Sequence, residues 1–193
     1  MIILVGESGS GKSSIEEVLI EKYGFEKVIT CTTRPMRPGE IDGMNYHFLS
    51  PHDFSEKIRN DEFAEYAVYR DRCYGTLKQD CFGEKKVLVC TPHGLRNMRK
   101  ILGENGVTSF YIKVERRDRL IKLLQRGDDI EEAYSTSLSD VGMFDGIADE
   151  ADYTMLNPHY EYSPETMAKA IVDLMNSDII TCDESEVDVC DEE

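Results

Sequence analysis

The sequence predicts an α/β protein, with one parallel sheet covered by helices on both faces, a small inserted part and a helical lid. Three observations carry that expectation. Short apolar runs alternate with amphipathic stretches, the first apolar run opens into a glycine-rich turn, and two polar excursions interrupt the alternation.

The chain begins MIILVGESGSGKSS, where Ile2 to Val5 reads as a buried strand. From Ser13 onward, Ile15, Val18, Leu19 and Tyr23 recur at helical spacing. The turn between them matches G-x-x-x-x-G-K-[ST] at Gly6, Gly11, Lys12 and Ser13. Glycines let the backbone curl so that successive N–H groups point inward, and the helix adds the positive end of its dipole. Gly6, Glu7, Ser8, Gly9, Ser10, Gly11, Lys12, Ser13 and Ser14 are therefore the candidate cradle for a nucleoside triphosphate. Lys12 would reach its outer phosphates, and the Ser13 hydroxyl would ligate Mg²⁺. A flexible glycine–serine connector would need neither the Lys-Ser pair nor the flanking strand and helix.

Glu26–Ile29 reads as a second strand. In CTTRPMRPGEIDGMNYHFLS, Pro35, Pro38, Gly39 and Gly43 exclude a continuous helix. A short helix is expected over Pro51–Arg59, an extended segment over Glu62–Tyr69 and an apolar core strand over Lys86–Cys90. A helix over His93–Leu102, a strand over Val107–Val114 and a helix over Arg117–Gln125 follow. A polar stretch then runs to about Asp149, ahead of a last strand at Tyr153–Leu156 and a closing amphipathic helix at Pro164–Met175. The expected division is a core of residues 1–30 and 85–176, an insertion at 31–84 and a mobile lid at about 127–149. Both excursions leave from the carboxyl ends of the strands, where open α/β sheets bind ligands.

Composition narrows the function classes. The 193 residues are 40% hydrophobic and 31% charged, which suits one globular domain. No apolar run is long enough to span a membrane, and the first residues read as a strand rather than a leader, so the cytoplasm is the expected location. Six cysteines lack metal-ligand or disulfide-framework spacing and are expected to be reduced. A net charge of −16 argues against nucleic acid as a partner. Eight acids and no Lys or Arg fall in residues 177–193, which read as a solvated, disordered tail.

The insertion carries chemistry for a second phosphate. Arg34 and Arg37 lie among prolines that restrict the backbone, and two guanidinium forks can clamp one phosphate. Tyr46 and Tyr74 offer phenolic donors, and Glu65 lies in E-F-A-E-Y. Taken alone, the two arginines would equally suit a solvated basic patch.

Taken together, these residues resemble the guanylate kinase family over residues 1 to about 176. The resemblance rests on the phosphate loop, on T-T-R-P-x-R-P-G-E-x-D-G-x-x-Y-H-F from Thr32 to Phe48, on E-F-x-E-Y ending at Tyr66, on Y-G-T at Tyr74–Thr76 and on Y-T-M-L-N ending at Asn157. It implies that Arg34, Arg37, Tyr46 and Tyr74 hold the GMP phosphate, with Thr30 and Thr76 near the base. It places Asn157 on the ATP side, and makes Lys12 and a lid cation, Arg126, the catalytic charges. Glu65 would accept from guanine N1–H and the exocyclic amine, and an acceptor-only carboxylate suits an edge with two donors. The implied reaction is ATP + GMP to ADP + GDP with Mg²⁺, and the implied partners are small nucleotides.

Two departures stand out. The family's D-x-D-x-x-G, aligned on Gly94, reads V-C-T-P-H-G, with Val89 and Thr91 in place of both acids. Ser137 stands where a later lid arginine is expected, while Arg119 and Lys122 read as helix-surface charge. A kinase for another monophosphate or a ribose bisphosphate, or a catalytically weak binding module, remain the alternatives.

Overall fold

Four apolar residues in a row need cover on both faces, and β1 (Ile2–Val5) finds it at the centre of a parallel sheet, fully buried. The computed structural model describes residues 1–37, 39–69, 71–83 and 85–183. In chain order, β1 is followed by α1 (Lys12–Tyr23), β2 (Glu26–Lys27), β3 (Cys31–Thr32), β4 (His47–Phe48) and α2 (Pro51–Arg59). Next come β5 (Phe63–Tyr69), β6 (Arg72–Leu77), β7 (Lys86–Cys90), α3 (Pro92–Leu102) and β8 (Thr108–Lys113). The chain continues through α4 (Arg116–Gln125), α5 (Ile130–Ser139), α6 (Ile147–Glu150), β9 (Tyr153–Leu156) and α7 (Pro164–Asp183).

The main sheet runs β2-β7-β1-β8-β9, with every pairing parallel. Side chains alternate across it. Ile2, Leu4, Phe110 and Ile112 join a core with Ile15 and Leu19 of α1 and Met167 and Ile171 of α7. Ile3, Val5, Leu88 and Tyr111 face the other way, against Leu95 and Met98 of α3 and Ile147 of α6. Burying two faces in this way supplies most of the stability of the parallel core.

Residues 31–77 carry a second, four-stranded sheet in the order β4-β3-β6-β5. Its small core is Cys31, Phe54, Phe63 and Leu77, with the Phe54 and Phe63 rings stacked 4.4 Å apart. Helix α2 starts where Ser50 accepts from Asp53 N–H and Pro51 takes the first turn. Gly75 lies beneath Phe63, where a Cβ would come within 2.9 Å of the ring.

Two sequence expectations need correction. Strand β2 ends at Lys27: Val28 N–H still donates to Val87 O of β7 at 2.9 Å, but by Thr30 the chain has turned to the second sheet, its carbonyl accepting from His47 N–H of β4 at 2.9 Å. Helix α7 runs past Met175 to Asp183, so residues 177–183 of the supposed unstructured tail are helical, while 184–193 lie outside the described residues.

Candidate active site at the carboxyl edge of the sheet

The phosphate loop is shaped by its glycines. Gly9 and Gly11 have φ of 82° and 92°, and a Cβ on Gly9 would lie 2.9 Å from the Arg119 carbonyl oxygen. A Cβ on Gly6 would lie 2.6 Å from the Ile112 carbonyl oxygen. Ser10 N–H donates to the Glu7 carbonyl at 3.1 Å, which tightens the curl before α1 begins. Lys12 folds back over the loop, its Nζ donating to Glu7 O at 2.8 Å and Ser10 Oγ at 3.3 Å. Burial pulls the Lys12 ammonium down to about 8, and Asp140 and Glu7 partly oppose that pull.

In front of Lys12 lies a cavity of about 250 Å³ bounded by Thr30, Tyr46, Glu65, Tyr74, Thr91 and Phe144. Glu65 reaches it through strand pairing. A bulge between Phe63 and Glu65 sets the register so that Glu65 faces Thr76 across the β5–β6 ladder. The Thr76 hydroxyl donates to Glu65 Oε1 at 2.7 Å. Both residues are buried, and desolvation raises the Glu65 carboxyl above its usual range against the pull of the Thr76 bonds.

A second cavity, of about 720 Å³, shares Thr30, Tyr46, Tyr74 and Val89 with the first as lining and therefore adjoins it. Ser13, Arg34, Arg37 and Arg126 line this second space. Arg34 makes a fork on Glu40 at 3.0 and 2.6 Å and lies over the Tyr46 and Phe48 rings. Arg37 reaches Glu132 of α5 at 3.2 Å, which joins the loop between β3 and β4 to α5. Arg126 pairs with Asp128.

A third group was not legible as a site. Arg119, read from the sequence as surface charge, is buried at 6% exposure against the phosphate loop. Its Nη2 lies 3.5 Å from Glu7 Oε1 and its Nη1 lies 3.6 Å from Asp140 Oδ2. The Asp140 carboxylate accepts from Ser8 N–H at 2.8 Å. Lys122, by contrast, lies over the Tyr160 ring, its Nζ 5.5 Å from the centroid.

The structure thus gathers the loop, Thr30, Arg34, Arg37, Tyr46, Glu65, Tyr74 and Arg126 around two adjoining cavities, with Thr76 directly behind Glu65. Asn157 stands apart: its side chain donates to Tyr162 O and accepts from Tyr162 N, both at 3.0 Å, which holds the turn after β9. The Thr91 hydroxyl caps α3 by accepting from Gly94 N–H at 3.2 Å, a task periodicity gives no hint of. Among the described residues no group of three or more His, Cys, Asp or Glu could hold a metal. A Mg²⁺ ion here would be carried largely by phosphate oxygens, with the Ser13 hydroxyl fitting as its protein ligand.

A phosphate loop at the head of a parallel sheet, facing a second sheet and the helix α5, defines a P-loop nucleotide-binding protein of the small-kinase class. The chain belongs to the guanylate kinase family, whose pattern it matches over residues 1–171. It is 30% identical over 183 residues to a guanylate kinase of Chlorobium luteolum, covering 92% of this chain and 93% of the relative. It is 34% identical over 186 residues to a guanylate kinase of Bacteroides fragilis, covering 92% and 91%. Among solved structures, the guanylate kinase of Anaplasma phagocytophilum superposes with a TM-score of 0.67 at 18% identity, over 92% of this chain and 85% of that one. A sugar kinase of Janibacter sp. HTCC2649 gives 0.52 at 12% identity, over 91% and 93%, a likeness of fold alone.

Proposed function

We propose that this protein transfers the terminal phosphoryl group of ATP to GMP, yielding ADP and GDP. One observation carries the reading beyond family membership. A buried carboxylate, Glu65, shares with the phosphate-loop lysine a cavity that Arg34, Arg37 and Arg126 do not line. A base edge with two donors would satisfy that carboxylate, whereas adenine N1 would meet it acceptor to acceptor.

In this reading the loop N–H groups and Lys12 hold the ATP phosphates, and Lys12 and Arg126 balance charge on the moving group. Arg34, Arg37, Tyr46 and Tyr74 hold the acceptor phosphate, which takes the place of Glu132 on Arg37. Thr30 and Thr76 flank the base, and Thr76 keeps Glu65 aimed by donating to its other side. Mg²⁺, bound through the Ser13 hydroxyl and the phosphates, would neutralise charge, without the acids that Val89 and Thr91 replace. Residues 31–84 form the acceptor-binding part and 127–149 the lid that excludes water. The turn held by Asn157 borders the ATP side. The cytoplasm remains part of this proposal, and the free thiols Cys31, Cys73, Cys81 and Cys90 suit a reducing compartment.

The test is a coupled ADP-release assay with ATP and Mg²⁺, offering GMP, dGMP, AMP, CMP and UMP separately. Turnover confined to GMP and dGMP is expected. Turnover with another base alone, or with none of them in a folded protein, would overturn the assignment and point to a sugar phosphate or a protein partner.

A further inference from the structure

The reaction as proposed leaves unused the buried charges behind the phosphate loop. Arg119, on α4, is tied to the segment that leads into the helix by its Nε, which donates to Val114 O at 3.0 Å. From there its guanidinium faces Ser8 O at 3.5 Å, Glu7 at 3.5 Å and Asp140 at 3.6 Å. Asp140, at the carboxyl end of α5, closes the ring from the other side by accepting from Ser8 N–H at 2.8 Å and Ser8 Oγ at 3.4 Å. Both carbonyl and amide of Ser8 are thus gripped, one by the cation of α4 and the other by the anion of the lid.

Ion pairs of this burial are costly unless their partners are fixed, so this one imposes geometry more than it adds stability. The backbone of α4 at Arg119 also lies against Gly9, leaving no room for a Cβ there. Helix and lid therefore meet the loop at adjoining residues. The same Asp140 charge faces Lys12 and favours its protonated form.

We infer that Arg119 and Asp140 are a positioning pair that fixes the phosphate loop in its nucleotide-binding shape and ties the lid to it. This deepens the ATP-dependent kinase reading and rests on it. In this chain the pair supplies a fixed cation and a fixed anion beside the loop, where Ser137, Val89 and Thr91 bring none. The Ser137 hydroxyl is itself engaged, accepting from Arg116 Nε at 2.9 Å.

The experiment measures ADP affinity by calorimetry, without acceptor, together with kcat and KM for ATP and GMP. The variants are Asp140→Asn, Arg119→Lys, Arg119→Met and the Asp140→Asn/Arg119→Met double variant. Asp140→Asn is expected to weaken ADP binding about tenfold and raise the ATP KM, with the GMP KM within about twofold, as loss of a charge-assisted bond predicts. Arg119→Met should cost more than Arg119→Lys, and the double variant less than the sum of its parts.

Arg99→Met serves as a control, because it breaks a comparable ion network with Asp152 and Glu104 away from the loop. It should lower Tm while leaving ADP affinity unchanged. Unchanged ADP affinity in Asp140→Asn and Arg119→Met despite a lowered Tm would reduce the pair to a structural one and overturn the inference. Tighter ADP binding in Asp140→Asn would also overturn it, making Asp140 a competitor of the phosphates. Because ADP binding needs no acceptor, failure of the GMP assignment would show separately in wild-type turnover.

Discussion

The phosphate loop and the cleft proposed for the acceptor are built in opposite ways. The loop is contiguous: Glu7, Ser10 and Lys12 bond to one another, and glycine conformations decide the curl. The cleft is assembled from separate strands, helices and the lid. Glu65 depends on a bulge and on Thr76 across the ladder, and Arg37 is matched with Glu132 from α5. A site made of neighbouring residues can be carried by a short motif. A site made of distant residues inherits the precision of every packing contact beneath it, down to the Phe54–Phe63 stack against Gly75.

That contrast can be broken at its strongest point first. Lys12→Ala should leave the fold intact by circular dichroism and lower kcat on the order of 10³-fold, because it removes a preorganised charge from the transfer site. A loss below tenfold in the ADP-release assay would mean that the loop is not where the charge is balanced.

On the cleft side, Glu65→Gln presents an amide that matches guanine's two donors badly. The GMP-to-AMP ratio of kcat/KM should fall about 10²-fold, as expected when one buried partner of a polar match is spoiled. An unchanged ratio would remove the base from this cavity.

A third prediction uses pH. Burial lowers Lys12 to about 8, so the free enzyme loses that charge as pH rises through this value. Its kcat/KM for ATP should fall about tenfold by pH 9. The same group acts oppositely on stability. Between about 8 and the ordinary lysine value of 10.5 the unfolded state binds the proton and the folded state does not, so Lys12's own contribution to stability rises with pH. Titrating Lys12→Ala alongside wild type checks both signs, since the variant should lack the alkaline fall.

The smallest effect concerns the tie between insertion and lid. Arg37 and Glu132 are both nearly half exposed, at 45% and 47% of their side chains, so their pairing is screened by water. Glu132→Gln should lower the KM for GMP about twofold, the effect of removing a weak surface competitor from Arg37. A rise in that KM would show that Glu132 helps to assemble the cleft.

What the sequence determined by itself was local. The loop, β1 and α1 follow from glycine spacing and apolar periodicity between Ile2 and Tyr23. The bounds of α2 follow from Ser50–Pro51, and β7 and β9 follow from short apolar runs. Arg34 and Arg37 were legible as candidate phosphate ligands only together with the longer motif around them, since two arginines alone would equally suit a solvated basic patch.

Tertiary structure decided the rest. The two-residue strands β3 and β4 carry no periodic signal, and they exist because β6 and each other's edges satisfy their backbone groups. Helix rules send an arginine to the surface, yet Arg119 is buried because Glu7 and Asp140, remote in sequence, neutralise it there. Thr91 is a helix cap before it is anything else. A residue's charge is written in its side chain, but whether water or another residue answers that charge depends on the fold.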